Sequence, residues 1–291
     1  MRVAARYGVV VVAFCLAAAA MPAAQARDLP EAKPARVGMS AERLQRLTDH
    51  MNQAVADGVM VGGLGLVARD GRVVYQQTYG LADRDPERPM TEDTIFRIYS
   101  MSKPITAVAV LMLYEEGHFF LNDPVARYIP ELADLEVAVS TADGGNTRMV
   151  SDGTVSRTEG SGDASQAGKT REPRRQPTIR DLLTHTAGFT YGVFGNTEVD
   201  RMYREAGLLA DDATLEDFVT RLGDIPLQYD PGTRWHYSVA VDVQGRLVEA
   251  VSGMKFGDFL EQRIFEPLGM VDTSFVVPDD QWNRVAELYS P

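Results

Sequence analysis

The sequence is almost free of cysteine, with a single one, Cys15, among its 291 residues. Cys15 lies inside an apolar run near the N-terminus and follows Phe14. A lipoprotein signal places a small residue before its cysteine, so lipidation is not expected. One cysteine cannot form an intrachain disulfide, and a cysteine in a segment predicted to be removed supplies no thiolate. A disulfide framework and cysteine catalysis are therefore both excluded.

Positive charge is also scarce. The chain has 29 Lys and Arg residues against 41 Asp and Glu residues, so its formal net charge is −12. Phosphate binding requires a basic face, so we expect no nucleic-acid partner. An anionic membrane surface is disfavoured for the same reason. The length allows one large domain or two closely packed ones, and 45% hydrophobic and 24% charged residues are ordinary for a globular protein.

Long apolar runs are confined to the N-terminus. Two arginines precede an uncharged apolar run over residues 9–20, which is short for a bilayer span. The pattern Ala24-Gln25-Ala26 then provides the small residues that signal peptidases accept. We therefore predict a signal peptide over residues 1–26, export to the periplasm or medium, and a mature domain over residues 27–291. A retained membrane anchor is the alternative.

Several common catalytic and cofactor signatures are missing. No G-x-S-x-G elbow occurs, which argues against an α/β-hydrolase. No glycine-rich phosphate loop follows a predicted strand, and the four histidines are scattered without the spacing of metal ligands. We therefore expect neither a cofactor nor a metal.

The patterns that are present predict a helix, a hairpin and then a mostly helical block. Apolar residues at three-to-four spacing predict a helix over residues 40–57, capped by Ser40. Residues 61–68 and 73–79 alternate like strands around Asp70-Gly71, a strong hairpin signal. This hairpin is the only sheet that the pattern reveals. Further helices are predicted over residues 178–183 (capped by Thr178), 215–222 (capped by Thr214), 238–252 and 256–265.

Residues 140–177 differ in composition from the rest of the chain. They are rich in Gly, Ser, Thr and Asp, and Met149, Val150 and Val155 are their only larger apolar residues. Such a segment buries too little apolar surface to offset the entropy of ordering it. We predict a disordered insertion whose basic end, residues 171–175, is a solvated loop rather than a binding patch.

Ser100-Met101-Ser102-Lys103 carries the strongest local chemical signal. Pro104 is tolerated only in the first turn of a helix, so a helix should begin near Ser100. Residues three apart share a helix face, and Lys103 can then assist deprotonation of Ser100. The helix N-terminus would also favour a developing anion. Taken alone, the motif is equally compatible with a capping serine and a surface lysine.

Residues 95–104, IFRIYSMSKP, resemble the nucleophile segment of penicillin-binding-protein-like serine hydrolases. That family includes class C β-lactamases, D-alanyl-D-alanine peptidases and the β-lactamase-like carboxylesterases of family VIII type. Four further stretches are similar to family segments in the family's order: 117–132, 178–190, 235–252 and 264–275. The resemblance covers nearly all of the mature chain except the insertion.

The resemblance implies an α/β (α+β) fold of the β-lactamase/transpeptidase type, with an antiparallel sheet flanked by helices plus a mostly helical domain. It also implies Ser100 as nucleophile and Tyr237 as a proton shuttle with Lys103, whereas Tyr237 taken alone is more typical of a buried aromatic. His185 is implied to be structural. The family's tyrosine-x-asparagine position ends here in Val239, which favours esters over β-lactams or peptides.

The function that this resemblance implies is hydrolysis of a small-molecule ester or amide through an acyl-Ser100 intermediate. A β-lactamase or D-amino peptidase and a noncatalytic binding module remain alternatives. The family's third motif, a glycine-rich strand that donates the second oxyanion amide, is not recognisable after Pro278. We therefore expect that the sheet is incomplete, that the C-terminal part is missing, and that this chain alone is a weak enzyme.

Overall fold

A computed structural model describes residues 28–139, 148–149, 155–156, 169–208, 210 and 213–289. The predicted signal peptide and residue 27 lie outside this part. The α-helices are α1 (Ala41–Ala56), α2 (Ser102–Glu115), α3 (Ile179–Leu183), α4 (Glu198–Glu205), α5 (Leu215–Gly223), α6 (Ala240–Ser252), α7 (Phe256–Leu260) and α8 (Glu266–Leu268). The strands are β1 (Gly62–Arg69), β2 (Arg72–Asp83), β3 (Arg88–Pro89), β4 (Val137–Ala138), β5 (Arg148–Met149), β6 (Val155–Ser156) and β7 (Thr170–Arg171).

Short tight turns join these elements. Single 3-10 turns lie at Pro34–Val37, Tyr99–Met101, Val125–Arg127, Pro130–Leu132 and Asp279–Arg284. A π-helical turn, Glu261–Phe265, links α7 to α8, so the helix predicted over residues 256–265 changes its winding midway. In the described part of the chain, no helix is long and apolar enough to cross a membrane.

The predicted first helix and hairpin are confirmed. The Ser40 side chain accepts a hydrogen bond from the Arg43 amide at the start of α1. Asp70 and Gly71 both have positive φ, 52° and 66°, as the tight turn between β1 and β2 requires. Helix α1 covers β2 on one face of the sheet.

The hairpin is not the only sheet, contrary to the prediction. Strand β3 adds to β2, so the sheet order is β1-β2-β3, and two further two-stranded pairs, β4–β7 and β5–β6, occur. These additional strands have two residues each, too few for a period-two pattern to show in the sequence. No strand among the described residues pairs with the outer edge of β1.

The core lies in the helical block rather than beside the sheet. Helix α2 packs against α6, and α6 also contacts α3, α5 and α7. Buried side chains from these helices and the adjoining turns form one cluster: Leu113, Ile129, Leu132, Leu182, Leu222 and Leu247. This packing fixes the N-terminal ends of α2 and α6 relative to one another.

The segment predicted as a disordered insertion over residues 140–177 is described only in part. Residues 140–147, 150–154 and 157–168 lie outside the described part of the chain. Residues 169–177 are described and form defined contacts: the Arg174 amide donates to Asp230 (3.0 Å), and the Gln176 side chain donates to the Ala133 carbonyl (3.0 Å). The predicted boundary at Pro177 is therefore wrong.

The basic stretch at the end of that segment is exposed, as predicted, but two of its arginines are held in ion pairs. The Arg171 guanidinium forms a bidentate ion pair with Asp230, and the Arg175 guanidinium forms one with Asp181 at 2.5 and 2.9 Å. Both carboxylates are buried. These ion pairs were not predicted, because the acidic partner of Arg171 is distant in sequence and composition alone cannot reveal the pairing.

The last described residues return to the sheet. The Ile95 amide donates to the Arg284 carbonyl at 2.9 Å, and the Glu287 amide donates to the Ala82 carbonyl at 2.8 Å. The Tyr289 hydroxyl then donates to the Asp83 carboxylate at 2.8 Å. The segment that precedes Ser100 is thereby held between the sheet and the C-terminal residues.

Candidate active site

Ser100 lies on the 3-10 turn that leads directly into α2. Tyr99 before it has a φ of 43°, an uncommon value for a non-glycine residue, and Ser100 itself is exposed. Pro104 occupies the first turn of α2, where its missing amide proton costs no hydrogen bond. The predicted helix start near Ser100 is confirmed, although the α-helical part begins at Ser102.

Lys103 and Tyr237 both reach Ser100. The Lys103 ammonium donates to the Ser100 hydroxyl at 3.0 Å. The Tyr237 hydroxyl lies 2.8 Å from the same oxygen, although 137 residues separate the two in sequence. The Lys103 nitrogen is 4.8 Å from the centre of the Tyr237 ring. The structure thus brings together all three residues that the sequence singled out.

The electrostatics of this trio favour proton transfer. Partial burial opposes ionisation of Tyr237, but hydrogen bonds with Lys103 and Ser100, together with the Lys103 charge, outweigh it and lower the pKa of the phenol. A lowered pKa makes the phenolate easier to populate, and the phenolate is the form that can accept the serine proton. Ser100 is therefore flanked by an ammonium and a phenol that can exchange protons with it.

His185 does not reach Ser100 as a triad base would. Its Nδ1 lies 3.3 Å from the Ser238 hydroxyl, and its carbonyl accepts from the His236 amide at 2.8 Å. Burial, then the nearby charge of Lys103, lowers the pKa of His185 and favours the neutral imidazole. Its ring stacks on Tyr237 with centroids 5.2 Å apart.

Two site residues were missed by the sequence reasoning. Tyr191 also stacks on Tyr237, with centroids 5.6 Å apart and planes 18° apart. Asp242 lies on the first turn of α6. Burial raises the pKa of its carboxyl, and the Lys103 charge offsets only part of this rise. An acidic residue in a first helical turn is ordinary. A tyrosine in a loop is equally unremarkable, so neither residue carried a signal of its own.

Large apolar side chains are exposed next to Ser100 in the sequence and next to the Tyr237 ring. Tyr99, Met101 and Trp235 are all more than 60% exposed, and Phe194 is 45% exposed. The Phe194 ring contacts Tyr237 edge-on at 5.9 Å. Among the residues that the structure describes, no group of three or more His, Cys, Asp or Glu side chains could hold a metal ion.

This trio of Ser100, Lys103 and Tyr237 lies within the region, residues 47–291, that matches the Beta-lactamase family model. The chain belongs to the Beta-lactamase family. It is 34% identical over 239 residues to Esterase EstB of Burkholderia gladioli, and the match covers 81% of this chain and 53% of that protein.

Solved structures give the same assignment of fold. EstCE1, described as a hydrolase with promiscuous acyltransferase activity, matches with a TM-score of 0.63 and 28% identity, over 84% of this chain and 56% of that one. A class C beta lactamase matches with a TM-score of 0.59 and 20% identity, over 86% and 56%, which shows the fold alone. The fold is the α+β β-lactamase/transpeptidase-like type that the sequence predicted. The chain spans about half the length of the curated relatives it matches.

Proposed function

We propose that this chain carries the nucleophile and proton-transfer groups of a serine hydrolase that cleaves carboxylic esters. One observation carries the proposal: the Ser100 hydroxyl lies between the Lys103 ammonium at 3.0 Å and the Tyr237 hydroxyl at 2.8 Å. The nucleophile and both proton-transfer groups are thus within direct hydrogen-bond reach. The esterase name of a relative at 34% identity supports the same chemistry.

The proposed reaction proceeds through an acyl-serine. The Ser100 oxygen attacks the ester carbonyl carbon while its proton passes to Tyr237 in its phenolate form, which the Lys103 ammonium stabilises. The bond to the alcohol then breaks, and the alcohol leaves with that proton. Water next attacks the acyl-Ser100 carbonyl and gives a proton to the same phenolate. Ser100 recovers its proton as the carboxylic acid leaves.

The residue at position 239 supports esters over β-lactams and peptides. In the penicillin-binding-protein-like family that the sequence resembles, an asparagine at this position helps to hold the substrate amide. Val239 offers no carboxamide, and its side chain is fully buried. Transfer of the acyl group to an alcohol instead of water is the second candidate, because EstCE1 combines hydrolysis with acyltransferase activity.

Covalent labelling tests the proposed nucleophile. A fluorophosphonate probe forms a bond from the serine oxygen to phosphorus and expels fluoride, so labelling reports acylation competence directly. Ser100→Ala should abolish labelling, whereas the matched control Ser102→Ala should retain it. Lys103→Ala and Tyr237→Phe should each slow labelling by roughly a hundredfold, the scale for losing a general acid or base. Undiminished labelling of Ser100→Ala would show that Ser100 is not the nucleophile.

We also propose export with cleavage after Ala26, from the arginines, apolar run and small residues at the N-terminus. N-terminal sequencing of the secreted protein should begin at Arg27. An intact Met1 on protein recovered from the periplasm or medium would contradict this.

A further inference from the structure

Three other rings contact the Tyr237 ring. The His185 ring stacks on it with centroids 5.2 Å apart and planes 25° apart, and the Tyr191 ring stacks on it at 5.6 Å and 18°. The Phe194 ring meets Tyr237 edge-on. A tyrosine side chain turns about two bonds, so these contacts restrict the swing that would move its hydroxyl.

The backbone that carries these rings is cross-linked to the backbone that carries Tyr237. The His236 amide donates to the His185 carbonyl at 2.8 Å, and the Val239 amide donates to the Thr190 carbonyl at 3.1 Å. The Thr190 hydroxyl in turn donates to the buried Asp200 carboxylate at 2.6 Å. The backbone on both sides of Tyr237 is thereby fixed relative to His185 and to Thr190, the residue before Tyr191.

Gly192 adds a steric reason for the position of Tyr191. Its φ is 81°, and a Cβ there would lie 2.8 Å from the Tyr203 Cβ. The loop therefore turns tightly against α4 immediately after Tyr191.

Both stacking rings are held in their neutral forms. Burial raises the pKa of Tyr191 and lowers that of His185. Their faces therefore offer apolar contact without adding a charge that competes with Lys103. Their role at Tyr237 is one of contact, not of proton transfer.

We propose that Tyr191 and His185 are positioning residues that keep the Tyr237 hydroxyl on the Ser100 oxygen by stacking on its ring. This inference rests on the proposed function, since it concerns the same proton shuttle. A shift of about 1 Å at a reacting group can cost on the order of a hundredfold in rate. The observed contact of 2.8 Å between the two oxygens leaves little room for such a shift.

The test compares the ring with the hydroxyl of Tyr191. Tyr191→Phe keeps the ring and should label with the fluorophosphonate within about twofold of the wild-type limiting rate. Tyr191→Leu removes the stack and should lower that limiting rate by roughly ten- to a hundredfold. The half-saturating probe concentration should stay constant, because a positioning residue affects the reacting geometry rather than probe binding. Equal losses in both variants, or a change confined to the half-saturating concentration, would overturn the proposal.

A second readout does not need an active enzyme. With 3-fluorotyrosine incorporated at position 237, the fluorine resonance of the wild type and of Tyr191→Phe should share one ring-current-shifted position. Tyr191→Leu should move it towards the value of a free residue, and His185→Asn should do the same. Asparagine is chosen because it tolerates the φ of 53° at position 185.

The two measurements separate the possible failures. Unchanged fluorine resonance and labelling in Tyr191→Leu would refute the positioning role while leaving the nucleophile intact. Absence of labelling in the wild type would remove the proposed function, and the fluorine comparison would still decide whether Tyr191 orients Tyr237. Thermal melting of each variant identifies any that fails to fold, in which case His185→Asn supplies the comparison.

Discussion

Single residues in this structure owe their behaviour to partners that are distant in sequence. Asp230 is the clearest case, because the Arg171 guanidinium, despite the cost of burial, holds the pKa of this carboxyl at about 2, with help from the Arg174 amide. A carboxyl with a depressed folded-state pKa stabilises the fold above its unfolded value and loses that contribution as pH falls through the folded value. At neutral pH, the contacts with Asp230 therefore hold Arg171 and Arg174 against the rest of the domain.

We expect the melting temperature to fall as pH decreases from the model-compound value of 3.8 towards 2, in part because Asp230 becomes protonated. Asp230→Asn should lower stability at pH 7 and flatten this part of the pH profile. Asp280→Asn, at an exposed carboxylate in a 3-10 turn, is the control and should leave the profile unchanged. Parallel profiles for the wild type and Asp230→Asn would contradict the assignment. Thermal melts monitored by circular dichroism at each pH provide the measurement.

The identity of residue 239 is coupled to packing as well as to specificity. Val239 is fully buried, so an asparagine there would bury a carboxamide without an evident partner. Val239→Asn should destabilise the fold by about 1–3 kcal/mol and should not confer hydrolysis of nitrocefin. Val193→Asn, at a position that is 58% exposed, should cost little. Gain of nitrocefin turnover at full stability would show that the ester preference depends on this one residue.

At the scale of elements, three helices begin with the same local device. Thr178, Thr197 and Thr214 each cap a helix, and an aspartate three residues later completes a capping box. The caps at Thr178 and Thr214 were predicted from the sequence. Helix α4, capped by Thr197, was not, because its eight residues are mostly charged and show little apolar period.

The caps should differ in their contribution to stability. Thr214→Ala removes a cap on an exposed box and should cost about 1 kcal/mol. Thr197→Ala should cost more, because the Thr197 hydroxyl also donates to Gln228 at 2.8 Å and shares Asp200 with Thr190. Chemical denaturation of both variants tests the order, and equal losses would show that the additional bonds contribute nothing.

Elements set by local rules were predictable, whereas those set by distant partners were not. The helix ends and the Asp70-Gly71 turn follow from caps and backbone preferences within a few residues. The approach of Lys103 to Ser100 was predictable for the same reason, since residues three apart share a helix face, but the catalytic role of the two residues was implied by the family resemblance. Tyr237 required the family resemblance, and Tyr191 became visible only when the loop before α4 was placed beside it.

At the scale of the whole molecule, the helical block leaves apolar surface open. Val108, Leu111 and Tyr114 on one face of α2 are 47%, 42% and 41% exposed, although α2 is apolar on nearly all sides. The outer edge of β1 also lacks a paired strand within the described residues. Open strand edges and contiguous apolar faces favour association.

We therefore expect the 27–291 chain to bind the dye ANS and to scatter light at moderate concentration. The double variant Val108→Gln/Leu111→Gln should reduce both signals without lowering the melting temperature greatly, since neither side chain is fully buried. Leu113→Gln, on the buried face of the same helix, should instead destabilise the fold. A chain that stays monomeric and does not increase ANS fluorescence would refute this expectation.

The long separation of Ser100 from Tyr237 has a consequence for the order of events during folding. Ser100 and Lys103 meet once the start of α2 forms, but the contact with Tyr237 closes a loop of 137 residues and depends on α2 docking against α6. Contacts of such separation form late, because chain entropy must first be lost. The serine of a nascent or partly unfolded chain therefore lacks its phenol partner, and its reactivity should appear only with the final tertiary step. Time-resolved probe labelling during refolding would then measure the rate at which α2 docks against α6.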